Sequence, residues 1–158
     1  MASLVDTNVL VYRFDPRDSV KQQIADALLR DHLRNDSLLI PHQAIVELVS
    51  ALTKPRADFR GAPLMRIAEA RLEAEALMGE FRVLYPTPAV LVTALRGSAA
   101  YQLSWFDAHL WAYAEVYGIP EILSEDFEHG RHYGSVRAVN PFLVADGVRE
   151  LPALYQSA

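Results

Sequence analysis

Ala2-Ser3-Leu4-Val5-Asp6-Thr7-Asn8-Val9-Leu10-Val11-Tyr12 is an apolar run broken abruptly by Asp6, Thr7 and Asn8 before it turns apolar again. Residues 4–6 read as the end of a first strand, and 9–14 as the approach to a helix. In an open parallel α/β sheet, ligands bind beyond the carboxyl ends of the strands, near a reversal of strand order. An acid at such a place is costly unless a cation or hydrogen-bond donors compensate it. Asp6 therefore raises the question of which positive species it faces.

Downstream, helices and strands alternate. Asp15-Pro16-Arg17-Asp18-Ser19 is a turn whose Asp18 or Ser19 can cap a helix over 20 to about 34, with Ile24, Ala27, Leu28 and Leu33 as its apolar stripe. A strand at 37–40 leads past Pro41 into a helix over 42–53, which Lys54-Pro55 stops. A polar link at 56–63 precedes a long helix at 64–80 and a strand at 81–85. Thr87-Pro88 opens a helix to about 101, and Ser104 opens another that ends at Gly118. Strands at 121–123 and 136–139 follow. This alternation predicts a parallel sheet with helices on both faces.

The composition narrows the class. A chain of 158 residues, 51% hydrophobic and 22% charged, is expected to form one globular domain over 1–158. With no cysteine, it has no disulfide and no thiolate zinc site. No apolar run approaches the roughly 18 residues of a membrane span, and no basic leader precedes the first strand, so a cytoplasmic protein is expected. A net charge of -5 is not that of a non-specific nucleic-acid binder. A polyanionic substrate would need local basic residues or a bound metal to overcome that field.

Acids stand where such a site would form. Asp6 and Asp126 each follow a predicted strand, and on neighbouring parallel strands their carboxylates would emerge at one edge. Each taken singly is also explained as a turn residue. Asp107 fits the capping-box spacing after Ser104, yet also heads the apolar stripe of Leu110, Trp111 and Ala114, so cap and ligand-facing acid both stand. Glu47 lies nearly opposite the face formed by Ile45, Leu48, Val49 and Leu52, and spacing alone makes it solvated.

Four segments together, "LVDTNVLVY", "HQAIVELVSAL", "SWFDAHLWAYA" and "ILSEDFEHGRHYG" followed by "VNPF", resemble the PIN-domain ribonucleases, and among them VapC-like toxins of type II toxin–antitoxin pairs. The resemblance implies a three-layer α/β/α sandwich around a parallel sheet of about five strands. It places the family's four acids on Asp6, Glu47, Asp107 and Asp126, with Thr7, Asn8 and Ser124 supporting them. Glu125 and Glu128 stand close enough to share the part given to Asp126. It further implies an RNA substrate, a cognate antitoxin and a homodimer. A non-toxin PIN nuclease acting in RNA processing or on DNA is the nearest alternative. A catalytically silent module that captures a basic peptide in an acidic pocket is another.

Phosphodiester hydrolysis suits this set of residues. Mg²⁺ and Mn²⁺ prefer oxygen ligands, and such ions can activate water and relieve charge at phosphorus. Asp6, Asp107 and Asp126 are expected to hold the principal ion, with Glu47 assisting a second ion or orienting the water. His129 and His132 offer a metal-free alternative. Arg13, Lys54 and Arg131 follow the proposed ligands closely enough to meet RNA phosphates, and Tyr12, Phe59 and Tyr133 could stack on bases.

Overall fold

A computed structural model describes residues 1–143; residues 144–158, which the single-domain reading included, lie outside the described residues. In chain order the elements are β1 (Ser3–Val5), α1 (Thr7–Tyr12), α2 (Ser19–Asn35), β2 (Leu38–Pro41) and α3 (His42–Thr53). A 3-10 turn at Ala57–Phe59 leads to α4 (Ile67–Glu80), β3 (Arg82–Leu84), α5 (Pro88–Tyr101) and α6 (Trp105–Tyr117). The last strands are β4 (Glu121–Leu123), β5 (His132–Tyr133) and β6 (Val136–Val139).

The sheet runs β3-β2-β1-β4-β6-β5, parallel throughout except that β5 is antiparallel to β6. β1 pairs with β2 on one side and β4 on the other, so the chain winds away from β1 in both directions. The reversal of strand order lies between β1 and β4, where a doubly wound sheet opens a crevice at its carboxyl edge.

Alternate side chains of each strand leave the sheet on opposite faces, which sets the layers. Val5, Ile40, Leu123 and Val139 pack with Leu10, Leu28, Leu48 and Leu77 from α1 to α4. Their strand neighbours Leu4, Ile122 and Ala138 pack with Val90, Ala94, Leu110 and Ala114 from α5 and α6. The result is the expected α/β/α sandwich.

Local differences from the sequence reading have physical causes. β1 ends at Val5 because Asp6 becomes the N-cap of α1, its side chain accepting from the Thr7 N–H. α2 buries Ala25, Leu28 and Leu29, leaving Ala27 exposed and Leu33 42% exposed; α1 and β2 decide which stripe turns inward. α4 starts at Ile67 because Leu64 and Met65 pack on the core ahead of the helix, with the Met65 N–H held by the Leu52 carbonyl at 2.9 Å. β5 has two residues, too few for any periodicity to register.

Gly97 lets α5 approach α6. A Cβ placed there would lie 2.2 Å from Cζ3 of Trp111, whose indole N–H is fixed on the Tyr133 carbonyl at 2.8 Å. Gly97→Ala is therefore expected to lower stability by about 1–3 kcal/mol through overpacking, despite alanine's better helix propensity. Urea denaturation would check this.

Candidate active site

Asp6 sits at the switch point because β1 delivers it there. Its own N–H still donates to the Leu123 carbonyl of β4 at 2.9 Å, while its carboxylate turns up beyond the sheet and is 7% exposed. Ser124, the first residue after β4, donates its hydroxyl to Oδ2 of Asp6 at 2.6 Å and accepts the Asp126 N–H at 3.0 Å. The Asn8 amide donates to Oδ2 of Asp6 at 3.2 Å and to Oδ2 of Asp126 at 3.0 Å. One hydroxyl and one amide thus tie together two acids 120 residues apart in sequence (126 − 6).

Asp107 arrives from the opposite layer. Ser104 is the N-cap of α6: its hydroxyl accepts the Asp107 N–H at 3.2 Å and donates to Oδ2 of Asp107 at 2.7 Å. The cap and site readings of Asp107 are both realised, since capping leaves the carboxylate half-buried at the cleft wall. Oxygens of Asp6, Asp107 and Asp126 all lie within 4.8 Å of one another. Glu47 is half-buried and lines the same cleft, so helical spacing misjudged it as solvated. Its Oε2 accepts from the Thr7 hydroxyl and its Oε1 from the Gln43 amide, both at 2.8 Å.

Burial, reinforced by Asp126 and Asp107, pushes the Asp6 carboxyl up to about 7, against the lowering effect of Ser124 and the Thr7 N–H. Asp126 is raised as well, by burial and then by Asp107 and Glu125, with the Asn8 bond opposing. Among the described residues no lysine or arginine pairs with any of the three clustered acids. The cleft, about 690 Å³, also contains two arginines and two further acids. Arg17 is engaged by Asp15 and Asp58, and Glu125 by Lys21 at 2.8 Å and the Tyr12 hydroxyl at 2.8 Å. Glu128 is exposed and pairs with Arg131.

The remaining candidates divide. Lys54 lines a neighbouring hollow that shares Glu47 and Arg56 with the cleft. Arg13 is held by Asp26, and Arg131 lies over the Tyr133 ring, so neither is among the cleft-lining residues. Tyr133 is buried, and Tyr12 carries Lys21 over its ring. None of the five histidines lines the cleft. Arg56 also lines it, as do Gln43 and Phe106, which escaped the sequence reading; an acid-spaced glutamine one turn before Glu47 was the available signal for Gln43.

A doubly wound α/β sheet with three carboxylates converging at its switch point defines a class of acidic-pocket proteins. The family model for the PIN domain matches residues 3–134, and the chain belongs to that family. Comparison with curated proteins finds no match. Among solved structures it is similar to VapC20 of Mycobacterium tuberculosis, described as a Sarcin-Ricin loop cleaving toxin, at 17% identity over 79% of this chain and 92% of that one, with a TM-score of 0.56. It is also similar to a toxin–antitoxin complex from Klebsiella pneumoniae (14% identity, 89% and 98% covered, TM-score 0.60). VapBC2 from Rickettsia felis bound to a DNA fragment from their promoter gives 10% identity, 89% and 98% coverage and a TM-score of 0.64. At these identities the likeness is one of fold.

The raised Asp6 pKa has a consequence for stability. Between about pH 4 and 7 the folded state retains a proton that the unfolded chain releases, so stability from this group declines as pH rises through that window. Asp6→Asn removes the dependence. The variant is expected to be more stable than the metal-free wild type at pH 8, by on the order of 1–3 kcal/mol, and to lose that advantage near pH 4. Thermal melts at the two pH values in EDTA would check the sign.

Proposed function

We propose that the chain is a metal-dependent endoribonuclease, a VapC-like toxin restrained by a cognate antitoxin. The observation that carries this reading is the convergence of Asp6, Asp107 and Asp126 within 4.8 Å, with no basic residue among those described to neutralise them. Oxygens bound to one small dication lie no more than about 4–5 Å apart, so the three acids fit Mg²⁺ or Mn²⁺ in both spacing and donor type. When bound, such an ion supplies Lewis-acid activation of water and stabilisation of charge at the scissile phosphate.

The chain's own groups do the rest. Asp6, Asp107 and Asp126 provide the ligand oxygens, while Ser124 and Asn8 hold Asp6 and Asp126 against their mutual repulsion. Glu47, its carboxylate oriented by Thr7 and Gln43, positions the attacking water or a second ion. Burial of Asp6 lowers the local dielectric and strengthens each of these interactions.

The similarity to toxin–antitoxin complexes supports a protein partner and a toxin role. Exposed Ile67, Leu72 and Met78 on α4, and Leu91, Val92 and Leu95 on α5, offer apolar surface for the antitoxin and for a second copy of the chain. No helix among the described residues is long and apolar enough to cross a membrane, and a cytoplasmic site of action accords with an RNA substrate.

Purified protein is expected to cut RNA with Mg²⁺ or Mn²⁺ and to stop when EDTA is added. Asp6→Asn should keep its circular dichroism spectrum and lose activity by about 100-fold or more. Growth arrest on induction, absent in the Asp6→Asn variant, would separate a toxin from a housekeeping nuclease. Full RNA cleavage by Asp6→Asn, or cleavage in EDTA, would sink the metal-site reading.

A further inference from the structure

We propose that Phe106 stacks on a nucleobase of an unpaired strand laid along α3, seating the neighbouring phosphate over the acids while Arg56 and Lys54 hold the backbone at the far end. The inference rests on the nuclease reading and names the form of its substrate. Phe106 is 66% exposed, immediately precedes Asp107 and lines the acidic cleft. The other aromatic residue of the cleft is Tyr12; its hydroxyl is bonded to Glu125 and Lys21, and the Lys21 ammonium sits 4.6 Å from its ring centroid. Among the described residues nothing comparable covers Phe106.

The backbone under Phe106 is fixed to the acidic machinery. Gln43, in the first turn of α3, donates to the Phe106 carbonyl at 3.1 Å and to Glu47 at 2.8 Å. Lys54 caps the other end of α3, eleven residues on from Gln43, a helix rise of about 16 Å. There the neighbouring hollow takes Lys54 and Arg56 in its wall and shares Glu47 and Arg56 with the cleft. Arg56 donates Nη2 to the Ala51 carbonyl, while its Nε is buried with no partner among the described residues. An aromatic face at one end, acids in the middle and cations at the other match a flexible strand of a few nucleotides. A stacked duplex keeps its bases inside and offers none to Phe106.

The test is kinetic, using a single-stranded RNA oligonucleotide with one cleavage site and variants abasic on either side of the scissile phosphate. Phe106→Ala should raise KM by about 10-fold with kcat nearly unchanged, and Phe106→Trp should restore it. One abasic position should weaken wild-type binding by a similar factor and cost Phe106→Ala nothing more. The same sequence closed into a hairpin stem should be cut far more slowly. Unchanged KM in Phe106→Ala, or an abasic penalty that persists in it, would overturn the inference and leave Phe106 to a protein-docking surface. Loss of the Mn²⁺-induced thermal shift in Phe106→Ala would also overturn it, by showing that the ring merely holds Asp107. Failure of the wild type to cut any RNA in Mn²⁺ sinks the nuclease reading itself, and this inference with it.

Discussion

Two like charges held side by side govern this molecule. Asp6 and Asp126 leave adjacent parallel strands at the same edge, and the hydroxyl of Ser124 and amide of Asn8 bind them jointly. Such a pair is unfavourable while both are ionised; burial raises the proton affinity of both carboxyls, with Asp126 and Asp107 adding to it at Asp6, and Asp107 and Glu125 at Asp126. The neighbouring strands tolerate the strain because their own side chains, Leu4, Val5, Ile122 and Leu123, are all but fully buried on the two faces of the sheet. Core packing below the site supports the electrostatic penalty above it.

Charge in the cleft is sorted rather than simply negative. Asp15 and Glu125 are acids of the same wall, yet each has its own cation in Arg17 or Lys21. The Arg17 ion pair with Asp15 holds that carboxyl below the usual range, opposite in direction to Asp6. Neighbouring acids thus divide into structural, ion-paired ones and ones without a cation partner according to whether a guanidinium or ammonium is within reach. Glu125 is on the structural side of that division, which leaves Asp126 as the acid beside Asp6.

Much of the architecture was legible in the sequence. The caps at Asp18, Thr87 and Ser104, the stop at Gly118 and the strands at 121–123 and 136–139 stand where local chemistry predicts them. These signals are short-range: a side-chain oxygen meets an N–H two or three residues away. Where the outcome depended on a partner element, the reading slipped. The inward stripe of α2 turned by one position, and α4 lost its first three residues to a bent segment docked on Leu52. The two-residue β5 exists because β6 offers it an edge.

For the site the division is sharper. The sequence by itself determined that carboxylates end two strands and head one helix, because strand and cap signals are local. It also carried the kinship that singled out Glu47 against its own periodicity. Only the tertiary structure decided that β1 and β4 are neighbours, that α6 reaches over from the other layer, and that Gln43 links Glu47 to Phe106. The bonds from Gln43 to Phe106 and from Ser124 to Asp6 join residues 63 and 118 positions apart. No local propensity encodes them; the choice of which faces bury together does.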